Sequence, residues 1–433
     1  MIRYVGIETI KMNRIIELGK KTFKKFHRYR WQTGWILLSV FLNVLSWKCR
    51  GFSDWFRKWI FPVFRGVMGR ITSLFSGSVG ELMLVAAVLL VLFWILLVLL
   101  SLFRKISRFQ KLSLFQKVGK LFRRYHYFLS WVVAAVCFIM TTNCFILYHC
   151  SSFEELYLDD TSEKEYTVAD LIAVRDYVIS RANELAPEMA RDENGDLVYA
   201  GNMEEKAGAE EEQAGDVEKR AGDEEEMAEA VEEKARAEMQ RLGKEYDLLA
   251  GYYTDPKIFR MSKFFSQQYM MGYYFPFSME ANYNGMMYLS NMPPTICHEL
   301  SHIKGFMFED DANFIGYLAC VTSEDPFFQY CGYISVIDYL NNDLYENLGE
   351  STAAYLSYRQ CSQLVARDNI FLTKQAWEEV EESAILETET VRKASSNFLD
   401  TNLNLNGVEE GIASYGKVVE LLLKYYDESG KCN

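Results

Sequence analysis

The chain reads as a membrane-anchored, mainly α-helical protein, and three observations predict this. Apolar runs at about residues 31–47, 82–103 and 128–148 have the length and composition of transmembrane helices. The 433 residues leave room after them for one sizeable folded domain. In that domain apolar positions recur mostly at helical spacing, with one stretch suited to a small β-sheet. The expected organisation is a membrane region over 1–150 with three transmembrane helices, then a domain over 151–433 that carries an acidic insert at about 200–241.

Among the apolar runs, Leu82 to Phe103 is the strongest, with VLLVLFWILLVLLSLF at its centre. Trp31 to Trp47 is of borderline spanning length; basic residues precede it, but no small-residue cleavage site follows, which argues against a removed signal peptide. Phe128 to Tyr148 is the third. Between the first two, WFRKWIFPVFRGVMGRITSLF reads as an interfacial helix with aromatic anchors, its basic residues set against anionic membrane lipids.

Two strongly basic stretches, KKTFKKFHRYR near the N-terminus and RKISRFQKLSLFQKVGKLFRR between the second and third runs, both call for the cytoplasmic side and conflict under a three-span count. The basic N-terminus and the acidic turn after Tyr148 decide for a multi-pass cell-membrane protein, with a cytoplasmic N-terminus and an extracytoplasmic domain from about Ser151 onward, whether the spans number three with one misplaced basic loop or two with a re-entrant first run.

Within the domain, Leu171, Val174 and Val178 predict a helix over Thr167 to Glu184. The insert follows with an imperfect seven-residue repeat: AGAEEEQ, AGDVEKR, AGDEEEM, AEAVEEK, ARAEMQR. Its recurrent small positions are Ala and Gly, so it lacks a Leu or Ile seam and reads as a solvated, partly helical spacer or a disordered excursion. Strands are expected around Tyr283 to Ser290. Helical stretches are expected at Phe314 to Cys320, Val336 to Leu340, Ser351 to Val365, Ala376 to Ala384 and Tyr415 to Tyr425.

The chemistry is concentrated in TICHELSHIKGFMFEDDANF, Thr295 to Phe314. Pro293-Pro294 suits a helix start and Gly305 a helix stop, so HELSH sits on a helix of about three turns. Residues four apart share a helix face, which lets His298 and His302 present two imidazoles to one cation with Glu299 beside them. Zinc hydrolases use such a set: three protein ligands, and a fourth position left open for water.

Only five His occur in the chain, and two of them stand at this spacing. Glu309 is the first choice for the third ligand. If a second helix begins there, Asn313 stands one turn above Glu309, placed to hydrogen-bond a ligating imidazole from outside the metal shell. Asp311 lies on a different face and is the alternative acid, as ligand or as outer partner. The competing reading is that Glu309, Asp310 and Asp311 only favour a helix N-terminus electrostatically. Cys297 points away from the two imidazoles.

HELSH, then GF, then EDDANF resembles an uncharacterised family of bacterial membrane proteins, domain of unknown function 3810, which carries HExSH, GF and EDEANF in the same order. The resemblance extends to PFSMEANYN at Pro276 to Asn284, to EGIASYGKVVELLL at Glu410 to Leu423 and to the membrane segments. More distantly, E-x-x-A-N after HExxH looks like the third-ligand helix of gluzincin-type zinc metallopeptidases. The resemblance implies a mostly helical gluzincin-like domain with a small β-sheet, Glu309 as zinc ligand and Asn313 as its neighbour's partner. Asp311 departs from the family's usual Glu, and the gap between the two helices is shorter than in most gluzincins. In such folds the strand before the metal helix is an edge for extended substrate; a short hairpin packed on a core is the other reading.

The expected activity is hydrolysis of peptide bonds in a peptide or protein substrate, with Glu299 as general base and Zn2+ as cofactor. Tyr415, between Gly411 and Gly416 in an expected turn before a helix, is the candidate oxyanion donor among the 27 Tyr of the chain. The alternative is a non-catalytic membrane sensor or scaffold. Lack of a second His or Cys pair at metal spacing favours an open site over a closed structural one. A net charge of -13 disfavours nucleic acid as partner. Nine Cys, an odd number with two in a membrane run, do not define the compartment.

Overall fold

The computed structural model describes residues 27–103, 113–158, 164–199, 201, 216–405 and 415–430. It is mainly helical, with one three-stranded sheet among the described residues. The chain divides into two compact units, the first from Met1–Cys49 and Leu82–Thr142 and the second from Arg50–Glu81 and Asn143–Asn433. The division expected at residue 150 is thus more interleaved in the fold: the segment between the first two apolar runs belongs to the second unit.

The first unit contains helix α1 (27–48), most of α4 (Val79–Phe103) and α5 (Ser113–Met140). Two helical segments among the described residues, Val79–Phe103 and Lys117–His149, are long and apolar enough to cross a membrane. The third expected span, at about 31–47, is not among them. It is a helix, but Gln32, Ser39, Asn43 and Ser46 interrupt its apolar run, and Gln32, Ser39 and Ser46 are buried. Asn43 donates to the Thr141 hydroxyl at 2.8 Å, and the Trp35 and Phe138 rings meet edge-on at 4.7 Å. The periodic polar face has a protein partner, which an apolar window cannot register.

The second unit begins with α2 (Arg50–Trp59) and α3 (Phe61–Thr72). The Thr72 hydroxyl donates to the Ser278 carbonyl at 3.0 Å, and Lys257 donates to the Thr72 carbonyl at 2.8 Å while pairing with Glu280. The Glu280 carboxylate also accepts the Val79 and Gly80 amides, so it caps the N-terminus of α4.

Helix α6 (Val168–Leu185) matches its prediction, closed at its start by a reciprocal Thr167–Asp170 capping pair. Helix α7 (Asp216–Leu242) corrects the reading of the insert as a solvated, partly helical spacer over its last part, from Ala228 onward, which is packed. Ala228, Val231, Ala235, Met239 and Leu242 are buried along one face, and the Cys297 thiol reaches the Ala235 carbonyl at 3.8 Å. The small residues are the seam: they admit a neighbouring helix at close range, where Leu would hold it away. Residues 202–215 of the insert lie outside the described residues.

The sheet has the order β1 (Lys257–Ile258), β3 (Glu280–Tyr283), β2 (Gly272–Phe275), with β1 parallel and β2 antiparallel to the central β3. Strands therefore precede the expected 283–290, where the chain turns into a short 3-10 helix, Leu289–Asn291. The strand nearest the metal-motif helix is central, and β2 is an edge.

Helix α8 (Met292–Ile303) carries HELSH, and α9 (Glu309–Val321) carries EDDAN. Helix α8 packs on β2, β3, α7 and α9. Helices α10 (Pro326–Ser335), α11 (Ile337–Asn347) and α12 (Tyr415–Ser429) complete the body of the unit. The helix expected over Ser351 to Val365 is two short ones, Thr352–Tyr355 and Gln363–Asp368, each started by a serine cap at Ser351 and Ser362.

Candidate metal centre

Pro293 and Pro294 lie in the first turn of α8, where the missing amide donor is harmless, and Gly305 at φ 89° reverses the chain after it. Three residues later Phe308, in extended conformation, starts α9. This tight connection brings Glu309 back over the His298 and His302 face. The ligand atoms of the three residues lie within 4.8 Å of one another.

The hydrogen bonds fix how the imidazoles are presented. His302 Nδ1 stands 2.6 Å from the Phe306 carbonyl oxygen, which can only accept, so Nδ1 carries the hydrogen and the neutral ring's Nε2 offers a lone pair. His298 Nδ1 stands 2.8 Å from Asn313 Oδ1 and is oriented in the same way. The two Nε2 atoms face each other at 3.1 Å, with Glu309 Oε2 3.2 Å from His298 Nε2 and Oε1 3.8 Å from His302 Nε2. Two lone pairs and a carboxylate thus converge on one point, an arrangement that calls for one positive charge among them.

The proton affinities express the same demand. Burial alone would lower His298, but its hydrogen bond to Glu309 and the charges of Glu299 and Glu309 override this and hold it at about 9. Burial, helped by the neighbouring His298 charge, takes His302 down to about 4. Glu309, with a half-exposed side chain, is held at about 2: the His298 hydrogen bond and the two imidazoles outweigh its desolvation. A proton on His298 therefore supplies the charge that a cation would bring to the same place.

Glu299 stands apart from this set. Its Oε1 is 3.9 Å from His298 Nε2, and its Oε2 is buried without a hydrogen-bond partner. Burial, then the nearby Glu309 charge, push its carboxyl up to about 8 against the pull of His298. Space for it comes from β2: a Cβ on Gly272 would meet Glu299 Oε1 at 2.3 Å and Cγ at 2.7 Å. The next residue, Tyr273, is exposed on the edge strand, yet local desolvation around its hydroxyl, then Cys144, Glu299 and Glu309, raise that hydroxyl to about 12.

Asn313 stands where the helical spacing from Glu309 places it. The Asp311 carboxylate instead accepts the Phe153 amide at 2.9 Å and is pushed up to about 7, chiefly by burial, so it ties α9 to the segment after residue 150. Tyr415 opens α12, and its side chain lies outside the described residues. Cys297 is buried against α7, away from the imidazoles.

Gly272, Tyr273 and the Phe306 carbonyl escaped the sequence reading. For Phe306 a signal existed in the GF pair between the two helices; for β2 there was none, because its place depends on long-range pairing. The turn is braced by Arg57 of α2, whose guanidinium lies over the Phe306 ring at 5.0 Å and donates to the Ser151 carbonyl at 2.9 Å.

In comparisons with known proteins, the model of the family described as Protein of unknown function (DUF3810) matches residues 56–423. No curated protein and no solved structure matches the chain.

Proposed function

The chain belongs to this family of proteins of unknown function, and we propose that it is a membrane-bound zinc metallopeptidase with its catalytic domain outside the cytoplasm, the basic loop between its two long apolar helices inside, and its N-terminus, against the expectation from three spans, on the domain's side. The observation that carries the reading is the convergence of His298, His302 and Glu309 on one point, with Glu299 beside it and its Oε2 without a partner.

Two neutral imidazoles and one carboxylate suit zinc, with room for a further oxygen ligand. The donor set fits: both Nδ1 atoms are occupied by acceptors, which leaves both Nε2 atoms for the ion. Bound there, zinc would supply Lewis acidity toward the scissile carbonyl and toward water.

The chain's own residues do the rest. Glu299 takes the proton of the attacking water on Oε2 and passes it to the leaving amine, the role its place beside the converging ligands allows. Tyr273 is the hydroxyl we assign to the developing oxyanion, because it lies within electrostatic reach of both Glu299 and Glu309. Tyr415 is the other candidate, and Tyr273→Phe and Tyr415→Phe measured side by side separate them. The edge strand β2 would pair with an extended peptide beside Glu299.

The test is metal analysis of the full chain in detergent, with proteome-wide cleavage profiles of the wild type and Glu299→Gln. Stoichiometric zinc and cleavages lost in the variant support the reading. Zinc without any cleavage that depends on Glu299 would assign the domain to the alternative role of sensor or scaffold.

A further inference from the structure

Helices α2 and α3 are inverted relative to helices at an aqueous surface. Trp55, Trp59, Val63, Val67 and Ile71 follow one another at intervals of four, continue into Leu74 and Phe75, and are each at least half exposed. The opposite face buries Ser53, Arg57, Arg65 and Thr72 together with Phe56 and Phe61. An aqueous surface helix hides its apolar stripe and shows its polar one. Here seven large apolar side chains form a continuous exposed band, while arginines are turned inward to hold the domain. Exposed bands of this kind mark a surface that something apolar covers.

The geometry points to a lipid bilayer as that cover: we propose that the outer face of α2–α3 is a docking surface that lies in the headgroup region of an anionic membrane. Chain continuity is the first argument. The band ends at Phe75, and four residues later α4 begins, a helix long and apolar enough to cross a bilayer. The N-terminus of α4 is fixed to this same unit by Glu280, which accepts its first two amides, and by Glu81, which accepts the Arg260 and Met261 amides.

Composition is the second argument. The band opens with two tryptophans, the side chains that favour the boundary between hydrocarbon and water, and continues in aliphatic residues. Charge is the third. Arg50, Lys58 and Arg70 are exposed on the pair, and its only acid, Asp54, is engaged by Arg57 and Ser151. Arg50 pairs with Glu155 and Lys58 lies 3.5 Å from Asp247, both at the surface, where such pairs exchange readily for phosphate.

This surface stands independently of the peptidase reading. The inner face of α2 reaches the turn after the metal-motif helix through Arg57 on the Phe306 ring, and the Phe306 carbonyl accepts from His302, so lipid contact on one side of α2 and the His302 imidazole on the other are joined by that turn.

The test places the full chain in phosphatidylcholine–phosphatidylglycerol vesicles, with bromine atoms on the lipid chains either near the headgroup or near the chain end. Emission lost in the Trp55→Phe/Trp59→Phe double variant gives the contribution of the two tryptophans. That contribution should be quenched more strongly by the shallow bromines than by the deep ones, and should resist aqueous acrylamide. Val67→Trp, added to the native chain, should report the same depth if the double variant does not reconstitute. In Lys58→Gln/Arg70→Gln, shallow quenching should depend less on the phosphatidylglycerol content. Strong quenching by acrylamide with none by bromine would place the band in water and overturn the proposal. Quenching by neither, with a cross-linked dimer, would give the face to a second copy of the chain and overturn it equally.

Discussion

Gly272 and Glu299 are in such close approach that a methyl group on the glycine would overlap the carboxylate, with 2.3 Å to Oε1 and 2.8 Å to Cδ. The acid of the HELSH helix is thus shaped from outside its own helix, by an edge strand about 27 residues earlier in the chain. Gly272→Ala should displace the carboxyl while leaving His298, His302 and Glu309 in place. We expect retained zinc and a loss of hydrolysis approaching that of a general-base variant, on the order of 10²–10⁴-fold. Normal turnover in this variant would show that Glu299 need not sit where the strand holds it.

Glu299→Gln keeps the side chain's shape and removes its ability to take a proton. Because Glu299 is not part of the converging ligand set, zinc content should stay at the wild-type level while turnover falls by about 10²–10⁴-fold. Metal content and peptide cleavage measured on one preparation check both halves. Loss of metal in this variant would make Glu299 a ligand.

Asn313 and Glu309 lie on one face of α9 and act on the same imidazole in different ways: Glu309 Oε2 approaches His298 Nε2, and Asn313 Oδ1 holds Nδ1. Glu309→Ala should leave the purified protein largely free of zinc. Asn313→Ala should keep the three ligands but weaken zinc affinity by about 10–100-fold, the usual cost of releasing a ligating histidine's outer hydrogen bond. Competition with a chelator measures both. Equal zinc affinity in Glu309→Ala and the wild type would move the third ligand elsewhere.

The candidate site was legible where the geometry is local. A spacing of four on one helix places His298 against His302, and the same spacing places Asn313 above Glu309, whatever the rest of the fold does. Long-range relations were not legible: β2 beside Glu299, the inward polar face of α1, and the partner of α7. Sequence alone gives Ala228 and Ala235 no sign that a helix lies against them, since a small residue is as compatible with solvent as with tight packing. Ala235→Leu distinguishes these. Ala235 is fully buried against Cys297, so the larger side chain should overpack the seam and destabilise the domain by about 1–3 kcal/mol, read as a lower melting temperature. An unchanged melting temperature would return the helix to the role of a solvated spacer.

Helix α7 also imposes a pH dependence on stability. Glu232 receives the Tyr283 hydroxyl at 2.7 Å, and burial pushes its carboxyl up to about 7, with the hydrogen bond and Arg236 restoring it only in part. The folded state therefore binds this proton more tightly than the unfolded chain does. The resulting stabilisation is complete below the ordinary glutamate range and is lost as pH rises through about 7. Asp311, pushed up to about 7 by burial, acts with the same sign, so the two add to one downward slope. Glu232→Gln keeps a neutral group at the Tyr283 contact at every pH. Its melting temperature should equal that of the wild type near about pH 4 and exceed it at about pH 8, leaving a shallower slope to which Asp311 still contributes. Parallel melting curves across that range would mean that Glu232 is ionised in the folded protein and that the Tyr283 hydroxyl, with Arg236, is sufficient to hold its charge.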